Sequence, residues 1–330
     1  MGMGDRLDEY RRKRDASRTP EPVPAGPLPE GRDDTFVIQQ HHARRLHWDL
    51  RLERGGVLVS WAVPRGLPRD PKTNHLAVHT EDHPLEYAEF EGVIPAGEYG
   101  GGKMIIYDRG TYTTEKWRDS EVIVVFDGAR TRGRYVLFQT RGKDWMMHRM
   151  DPPEPSWTPM PEQVRPMLPE PAQRLPRPES AWAYEMKWAG TRALGYVAGG
   201  RVRLVSAEGA DITDDHPKVK ALGEWLAPVE VVLDGDLVTF GKSPVYLVFD
   251  VLWLDGTSTV DLPYGSRREL LEALEVAGPH WQTPPYFAGT GKDALRASRE
   301  QGLPGVVAKR LESPYRPGER SGDWRSVPPV

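Results

Sequence analysis

Histidines are concentrated in one short stretch of this 330-residue chain. Six of the nine histidines lie between residues 41 and 83, around the run Leu46–Glu53. Apolar and polar residues alternate strictly in this run, as in a half-buried strand. Successive strand side chains point to opposite faces, so the polar face carries His47, Asp49 and Arg51, about 6.6 Å from one to the next. The leucines at 46, 50 and 52 and Trp48 then face the core.

These residue types can bind a metal and a phosphate side by side. Imidazole and carboxylate groups ligate divalent cations, and the planar guanidinium group suits phosphate oxygens. His41 ends the preceding predicted strand, and His83 and Tyr87 follow another strand. Two histidines and an aspartate that converge from adjacent strands form a mixed nitrogen and oxygen site, which suits Mn²⁺ or Zn²⁺. The alternative is the solvated polar face of an ordinary amphipathic strand.

The elements that must position these residues are short strands. Gly, Pro and Asp divide the first 150 residues into apolar, β-branched segments with almost no helical periodicity, which predicts an all-β sandwich or barrel. The predicted strands are 36–40, 46–53, 57–63, 76–80, 103–108, 122–126 and 134–140. The glycine-rich run 97–103 predicts a turn, because no helix follows it as a nucleotide-binding loop requires.

Beyond residue 180 the pattern becomes mixed. Predicted strands alternate with helical stretches, which predicts an α+β domain. The strands are 182–187, 201–205, 229–233 and 245–254, and the helices are 218–226, 266–276 and 292–301.

Proline marks the domain boundaries. Residues 151–178 contain ten prolines, a density that favours an extended, semi-rigid spacer. A smaller cluster, Pro20 to Pro29, separates a charged arm from the first predicted strand. We therefore predict an N-terminal arm (1–35) that belongs to the first domain, a β domain (36–150), a linker (151–178) and a second domain (179–330).

Composition excludes several classes of protein. The chain has no cysteine, which rules out disulfides and thiolate metal sites. No apolar run approaches the roughly 20 residues that a membrane span needs. The first 150 residues are nearly balanced in charge and the remainder is acidic, so any nucleic-acid contact should depend on a few local arginines. We expect a cytoplasmic, nucleoid-associated protein without a membrane partner.

The segments FVIQQHHARRLHWDLRLE, SWAVPRG, EDHPLEYAEFEGVIPAGEYGGG and DRGTY resemble the 3′-phosphoesterase domain of bacterial DNA ligase D. The arm sequence YRRKRDASRTPEP resembles the same family, although Ala16 stands where an aromatic residue is usual. The resemblance implies His41, His47 and Asp49 as Mn²⁺ ligands, with Zn²⁺ or Co²⁺ as alternatives.

The same resemblance implies roles for other residues. Arg51 and His83 would act as cationic donors to the scissile phosphate, with Tyr87 completing the pocket. Asp15, Glu21 and Gln40 match positions associated with removal of a 3′-ribonucleoside or with the polar site. Two departures from the family stand at phosphate-binding positions: Arg65 replaces a lysine, and His75 replaces an arginine.

The second domain resembles the adenylation domain of ATP-dependent DNA ligases. YEMKWAGTRAL, LDGDLV, YLVFDVLWLDG and PGVVAKRLESPYRPGERSGDW follow the ligase order. Lys187, Arg192, Asp250 and Lys309 would be remnants of the adenylation site. Ala189, Ala207, Asp236 and Pro304 depart from the family pattern, and lysines expected after Trp324 are missing. Oxyanion-type donors are each worth about 3–4 kcal/mol, so we expect an inactive pseudo-ligase that does not use ATP.

The sequence ends at Val330, and we expect the nucleotidyltransferase fold without an oligonucleotide-binding domain. The leading hypothesis is an Mn²⁺-dependent enzyme that removes a 3′-ribonucleoside and then the 3′-phosphate from DNA or DNA/RNA ends of a primer–template, beside end-joining repair proteins. The alternatives are a non-catalytic end-joining scaffold and a residual ATP-dependent ligase.

Overall fold

Eight antiparallel strands close on themselves in the first of two units, which comprise residues 1–155 and 156–330. The computed structural model describes residues 6–153, 157–241 and 243–329. In the first unit the pairing order runs β1-β2-β3-β4-β10-β9-β8-β7, and β1 also pairs with β7, which completes the barrel. The strands are β1 (Thr35–His42), β2 (Leu46–Arg54), β3 (Val57–Val63), β4 (Asn74–His79), β5 (His83–Pro84), β6 (Gly92–Ile94), β7 (Gly102–Arg118), β8 (Glu121–Gly128), β9 (Arg132–Arg141) and β10 (Asp144–Arg149).

Aromatic side chains fill the interior of the barrel. Phe36 of β1 meets Phe126 of β8 at 4.8 Å between ring centroids, and Trp61 of β3 meets Trp145 of β10 at 5.7 Å. In each pair a single strand lies between the two strands that carry the rings, so both contacts join next-nearest strands. Leu50 and Leu52 of β2 are fully buried on this inner face. The alternation predicted for Leu46–Glu53 is therefore confirmed, and the chemistry-bearing residues of β2 lie on the outside of the barrel.

The N-terminal arm covers part of this outer face. It contains the short helix α1 (Asp8–Arg12) and then runs without regular structure to β1. Tyr10 is fully buried, with its ring 5.0 Å from the His83 ring and 6.2 Å from the Tyr87 ring. A 3₁₀ turn, Leu85–Glu89, carries Tyr87. The arm and the 3₁₀ turn therefore lie over the polar face of β2, and this face forms one wall of a cavity.

The described residues of the second unit form two sheets and three short α-helices. A five-stranded sheet runs β11-β22-β21-β12-β20, and a seven-stranded sheet runs β14-β13-β15-β16-β19-β18 with β17 beside β16. A cluster that includes Tyr196, Phe249 and Trp324 packs residues of both sheets together. The elements are β11 (Leu168–Pro171), β12 (Trp182–Met186), β13 (Thr191–Ala198), β14 (Arg201–Ser206), α2 (Leu222–Leu226), β15 (Val231–Phe240), β16 (Ser243–Leu254), β17 (Thr257–Ser258), α3 (Tyr264–Ala273), β18 (Ala277–Gly278), β19 (Trp281–Gln282), β20 (Phe287–Ala288), α4 (Gly291–Glu300), β21 (Val306–Arg310) and β22 (Arg320–Val327).

The proline-rich region differs from the predicted linker. Its described part from residue 157 belongs to the second unit, where β11 forms an edge of the five-stranded sheet. Met167 is fully buried, and its N–H donates to the Tyr315 hydroxyl at 2.8 Å. Proline has no N–H to donate, and an edge strand can tolerate it because one side of that strand has no partner. The boundary between the units therefore lies near residue 155 and not across 151–178.

Most other predicted elements correspond to elements of the structure, although the predicted strand 103–108 is only the first part of β7. The predicted helices 266–276 and 292–301 are α3 and α4, displaced by one to three residues. The predicted helix 218–226 is a 3₁₀ turn followed by α2. β10 was not predicted, because its sequence DWMMHR has no β-branched residue. None of the helices in the described residues has the length and hydropathy that a membrane crossing requires.

Candidate active site

A compact group of metal-ligand side chains lies on the outer face of β1 and β2. The antiparallel register places His41 opposite His47 and Gln39 opposite Asp49. The Asp49 carboxylate lies 3.6 Å from Nδ1 of His41 and 3.6 Å from Nε2 of His47. One ligand atom from each residue lies within 4.8 Å of the others. The structure thus brings together the three predicted metal ligands.

Hydrogen bonds to the backbone orient both imidazole rings. Nε2 of His41 lies 2.8 Å from the carbonyl of Gly100, and Nδ1 of His47 lies 3.0 Å from the carbonyl of Arg45. A carbonyl only accepts, so each of these nitrogens carries the proton. The other nitrogen of each ring, the one nearest Asp49, keeps its lone pair for a cation. This donor set of two imidazoles and a carboxylate fits Mn²⁺ or Zn²⁺.

Arg51 is held by three partners beneath the metal-ligand group. Its guanidinium donates to Gln39 Oε1 at 2.7 Å, to Ser60 Oγ at 2.9 Å and to Asp49 Oδ2 at 3.0 Å. Burial alone would raise the pKa of Asp49, but the positive charge of the adjacent Arg51 favours the ionised carboxylate, and the pKa is lowered overall. Asp49 is therefore an anionic ligand at neutral pH.

Gln39, rather than Gln40, shares the face of the metal ligands. Strand alternation puts Gln39 and His41 on one side of β1, and Gln39 also donates to the carbonyls of Tyr87 and Phe90 at 3.1 and 2.9 Å. Gln40 lies opposite Trp48 on the barrel interior, where its buried Nε2 has no hydrogen-bond partner among the described residues. The structure therefore does not bring Gln40 to the site. The alternation of β1 was the signal that could have identified Gln39.

His83 reaches the site but is not cationic. Its Nδ1 lies 2.9 Å from the Glu81 carbonyl, and its Nε2 lies 3.3 Å from the Arg14 guanidinium. Burial, followed by the charges of Arg51 and Arg14, holds the pKa of His83 well below its usual range. The expected cationic donor is thus a neutral imidazole whose Nε2 accepts from Arg14.

Arg14 supplies the second cation, and the sequence prediction missed it. It forms ion pairs with Glu21 at 2.8 Å and Glu81 at 3.1 Å. Glu21 also accepts from the Tyr87 hydroxyl at 3.0 Å, so the structure places these two residues side by side. The pKa of Tyr87 is raised above its usual value, chiefly because its hydroxyl is buried. Arg14 and Glu81 belong to separate segments with no shared sequence pattern, so only the fold joins them.

Besides Gln40, three further predicted residues lie outside this group. Asp15 is exposed, and its carboxylate accepts from the N–H and hydroxyl of Ser17, which shapes the turn that leads to Glu21. Arg65 is exposed beyond the end of β3. Nδ1 of His75 donates to the Gly66 carbonyl at 2.7 Å, and burial lowers the pKa of His75.

The grouped residues enclose a cavity of about 220 Å³, which we call the site cavity. Its polar lining consists of Arg14, Glu21, His41, His47, Asp49, Arg51, Thr80, Glu81, His83, Tyr87 and Tyr99. Two buried guanidinium groups beside a metal-ligand group suit an anionic, phosphoryl-containing ligand.

Three of the four predicted adenylation residues of the second unit, Lys309, Asp250 and Arg192, form ion pairs within the protein. Lys309 is buried with its Nζ 2.6 Å from Glu185, and burial lowers the pKa of Lys309. Asp250 is fully buried in a two-bonded pair with Arg267, at 2.8 and 2.9 Å.

Arg192 forms a similar pair with Asp234, at 2.6 and 2.7 Å. Lys187 follows β12 and is half-buried, and its N–H donates to the Gly305 carbonyl at 3.0 Å. Of the four predicted remnants, Asp250 and Lys309 are the two whose side chains lie almost wholly buried in ion pairs.

Comparison with known proteins identifies both units. Residues 39–139 match the family described as the DNA ligase D 3′-phosphoesterase domain, and residues 241–327 match the ATP dependent DNA ligase domain family. The chain is 46% identical over 342 residues to a multifunctional non-homologous end joining DNA repair protein, LigD of Mycobacterium tuberculosis, covering 98% of this chain and 45% of that protein.

A second relative is LigD of Pseudomonas aeruginosa, 34% identical over 397 residues, with 96% of this chain and 46% of that protein covered. Among solved structures, the ligase domain from M. tuberculosis LigD is 35% identical, covers 49% of this chain and 60% of that chain, and superimposes with a TM-score of 0.46. The chain spans about half the length of the curated relatives that it matches.

Proposed function

This chain belongs to the DNA ligase D family and joins a 3′-phosphoesterase domain to an ATP-dependent ligase domain, and from that premise we propose that its first unit is a metal-dependent enzyme that heals 3′ ends. It removes a 3′-terminal ribonucleoside and then the remaining 3′-phosphate, which leaves a 3′-hydroxyl. The observation that carries this proposal is the His41, His47 and Asp49 group, oriented by backbone carbonyls beside two buried arginines.

Mn²⁺ is the proposed cation, and His41, His47 and Asp49 are its proposed ligands. When bound, the cation supplies Lewis-acid polarisation of a phosphoryl oxygen. The protein holds its ligands ready, because the lone pairs of both histidines already point toward Asp49 and the carboxylate is ionised. Binding therefore requires little rearrangement of these three side chains.

Arg51 and Arg14 stabilise the negative charge that grows on the phosphoryl oxygens. Arg51 is fixed by Gln39, Ser60 and Asp49, so its orientation exists before substrate binds. Such preorganised donors cost no reorganisation during the reaction, and each is worth about 3–4 kcal/mol. Neutral His83 keeps Arg14 in place by accepting from its guanidinium. His83 is thus a positioning residue in this proposal.

Glu21 and Tyr87 form the wall of the site cavity that receives the terminal nucleoside. Glu21 is bound by Arg14, Thr19 and Tyr87, so the arm and the 3₁₀ turn are joined at this carboxylate. A ribonucleoside differs from a deoxynucleoside by a 2′-hydroxyl, which a carboxylate accepts well. Glu21 is the proposed acceptor for that hydroxyl.

Metal analysis paired with turnover separates this proposal from a non-catalytic scaffold. The full chain, purified and loaded with Mn²⁺, should convert a DNA oligonucleotide with a 3′-phosphate to a 3′-hydroxyl and release inorganic phosphate. His47→Ala should lose both bound metal and turnover. Metal retained by the wild-type chain without turnover of any 3′ end would favour the scaffold.

We propose that the second unit is a pseudo-ligase. Ala189 and Pro304 stand where the ligase pattern has carboxylates, and Asp236 is one methylene shorter than the usual glutamate. Lys309 is neutralised by Glu185 in the interior. Incubation with α-labelled ATP followed by a denaturing gel should show no covalent adduct. A labelled band in wild type that Lys187→Ala removes would establish adenylation and overturn the pseudo-ligase.

A further inference from the structure

A second, larger depression lies directly beside the site cavity. It has a volume of about 1220 Å³, and its walls are the turn between β1 and β2 and the glycine-rich segment 96–103. We call this depression the basic groove. His47, Tyr99 and Gly100 line both the basic groove and the site cavity. The two spaces are therefore adjoining, and a chain-like ligand could occupy both.

Glycine allows the two walls to approach. Gly102 has a φ of 150°, and a Cβ atom there would lie 2.4 Å from the carbonyl oxygen of His42. A side chain at this position would push the glycine-rich segment away from the end of β1. The shape of the basic groove thus depends on the glycine-rich segment 96–103, whose Gly100 carbonyl also orients His41.

The basic groove carries three unneutralised cations. Arg44, Arg45 and Lys103 are exposed, and within the described part of the chain none of them forms an ion pair. Glu98 also lines the basic groove but is paired with Arg18 at 2.6 Å. Exposed, unpaired cations in a groove attract a polyanion and release its counterions on binding.

We propose that the basic groove binds the phosphodiester backbone of the strand whose 3′ end enters the site cavity. This inference rests on the proposed function. The site cavity, at about 220 Å³, has room for little more than the terminal group, so the nucleotides on its 5′ side must leave through an opening. The adjoining basic groove offers that exit with three cations along it. The half-exposed Tyr99 ring, where the two spaces meet, offers a surface on which a base can stack.

The test compares two charge-matched variants of the full chain. The groove variant carries Arg44→Gln, Arg45→Gln and Lys103→Gln. The control variant carries Arg118→Gln, Arg130→Gln and Arg141→Gln, which removes three exposed cations that do not line the basic groove. Binding of a labelled DNA primer–template with a 3′-hydroxyl is measured by fluorescence anisotropy at 50 and 200 mM KCl. Turnover of the matching 3′-phosphate end is measured separately.

Each phosphate contact makes affinity fall about 3.5-fold over this fourfold rise in salt, so three contacts account for about 40-fold. Between 50 and 200 mM KCl, the affinity of the groove variant should therefore fall about 40-fold less than that of wild type. The groove variant should also bind more weakly than wild type at 50 mM KCl, while the control variant should match wild type. A groove variant with wild-type affinity and salt response would overturn the proposal, and an acidic protein partner would then be the better occupant. If the wild-type chain turns over no 3′ end yet the groove variant loses binding, the proposed function fails and the basic groove stands.

Discussion

Two neighbouring glutamines on β1 should respond in opposite ways to the same substitution. Gln39 faces the site and accepts from Arg51, and its amide donates to two backbone carbonyls. Gln39→Met keeps the side-chain length but removes all three hydrogen bonds. A bond to a charged group is worth about 1.5–3 kcal/mol and a neutral one about 1 kcal/mol. The free energy of unfolding should therefore fall by about 3.5–5 kcal/mol.

Activity should fall as well, because Arg51 loses the partner that fixes its Nε. A misplacement of about 1 Å can cost about 100-fold, so we expect kcat/KM for 3′-phosphate removal to fall between about 10- and 100-fold. Gln40→Met removes a buried amide nitrogen that has no partner among the described residues. Such a group costs about 1–3 kcal/mol, so stability should stay unchanged or rise, and activity should stay at the wild-type level.

Urea denaturation and phosphate release, measured on the same two variants, check this pair. Both substitutions sit in one strand and change the same chemical groups, so each variant controls for the other. Loss of activity in Gln40→Met with a silent Gln39→Met would refute the assignment of faces on β1 and the role given to Arg51.

The arm, the buried histidine and the unit boundary each give a further prediction. Glu21→Gln should reduce ribonucleoside removal at least tenfold more than Asp15→Asn does, because Glu21 lines the site cavity and Asp15 only shapes a turn; equal losses in a primer-extension gel would contradict this. The pKa of His83 is lowered in the folded protein. Below about pH 6.5 this histidine is therefore protonated in the unfolded chain but still neutral in the folded one. The free energy of unfolding then falls as pH falls, by up to about 1.4 kcal/mol per pH unit. His83→Gln should flatten the dependence of the urea midpoint between pH 7.5 and 5.5, and an unchanged slope would show that His83 is not the neutral group. A fragment of residues 1–153 should keep kcat/KM within about threefold of the full chain, because every residue of the site cavity lies in the first unit; a loss above tenfold would show that the second unit contributes.

Much of the site could be predicted because strands alternate. The period of two assigned Trp48 and Leu50 to one face and His47, Asp49 and Arg51 to the other, and the structure confirms both faces. The same rule puts Gln39 and His41 on one face of β1 and Gln40 on the other face. The prediction that Gln40 lies at the site did not apply the alternation to β1. Side-chain direction within a strand is a local property, which is why sequence carries it.

The remaining features depend on contacts between distant segments. Arg14 reaches His83 and Glu81 only because Tyr10 anchors the arm against the barrel, and no spacing in the sequence indicates this. The neutrality of His83 results from burial beside two guanidinium groups, which depends on packing. Composition predicts a spacer in the proline-rich region. The structure instead pairs strand β11 of this region with β22, which lies about 150 residues later in the chain.

The most direct test of the proposed function uses a primer–template whose primer ends in one ribonucleotide, incubated with the full chain and Mn²⁺. We predict two products in succession, first a primer that has lost the ribonucleoside and ends in a 3′-phosphate, then the same primer with a 3′-hydroxyl. His47→Ala, Asp49→Ala or EDTA should abolish both steps. A wild-type chain that binds Mn²⁺ and leaves this primer intact would contradict the proposed function.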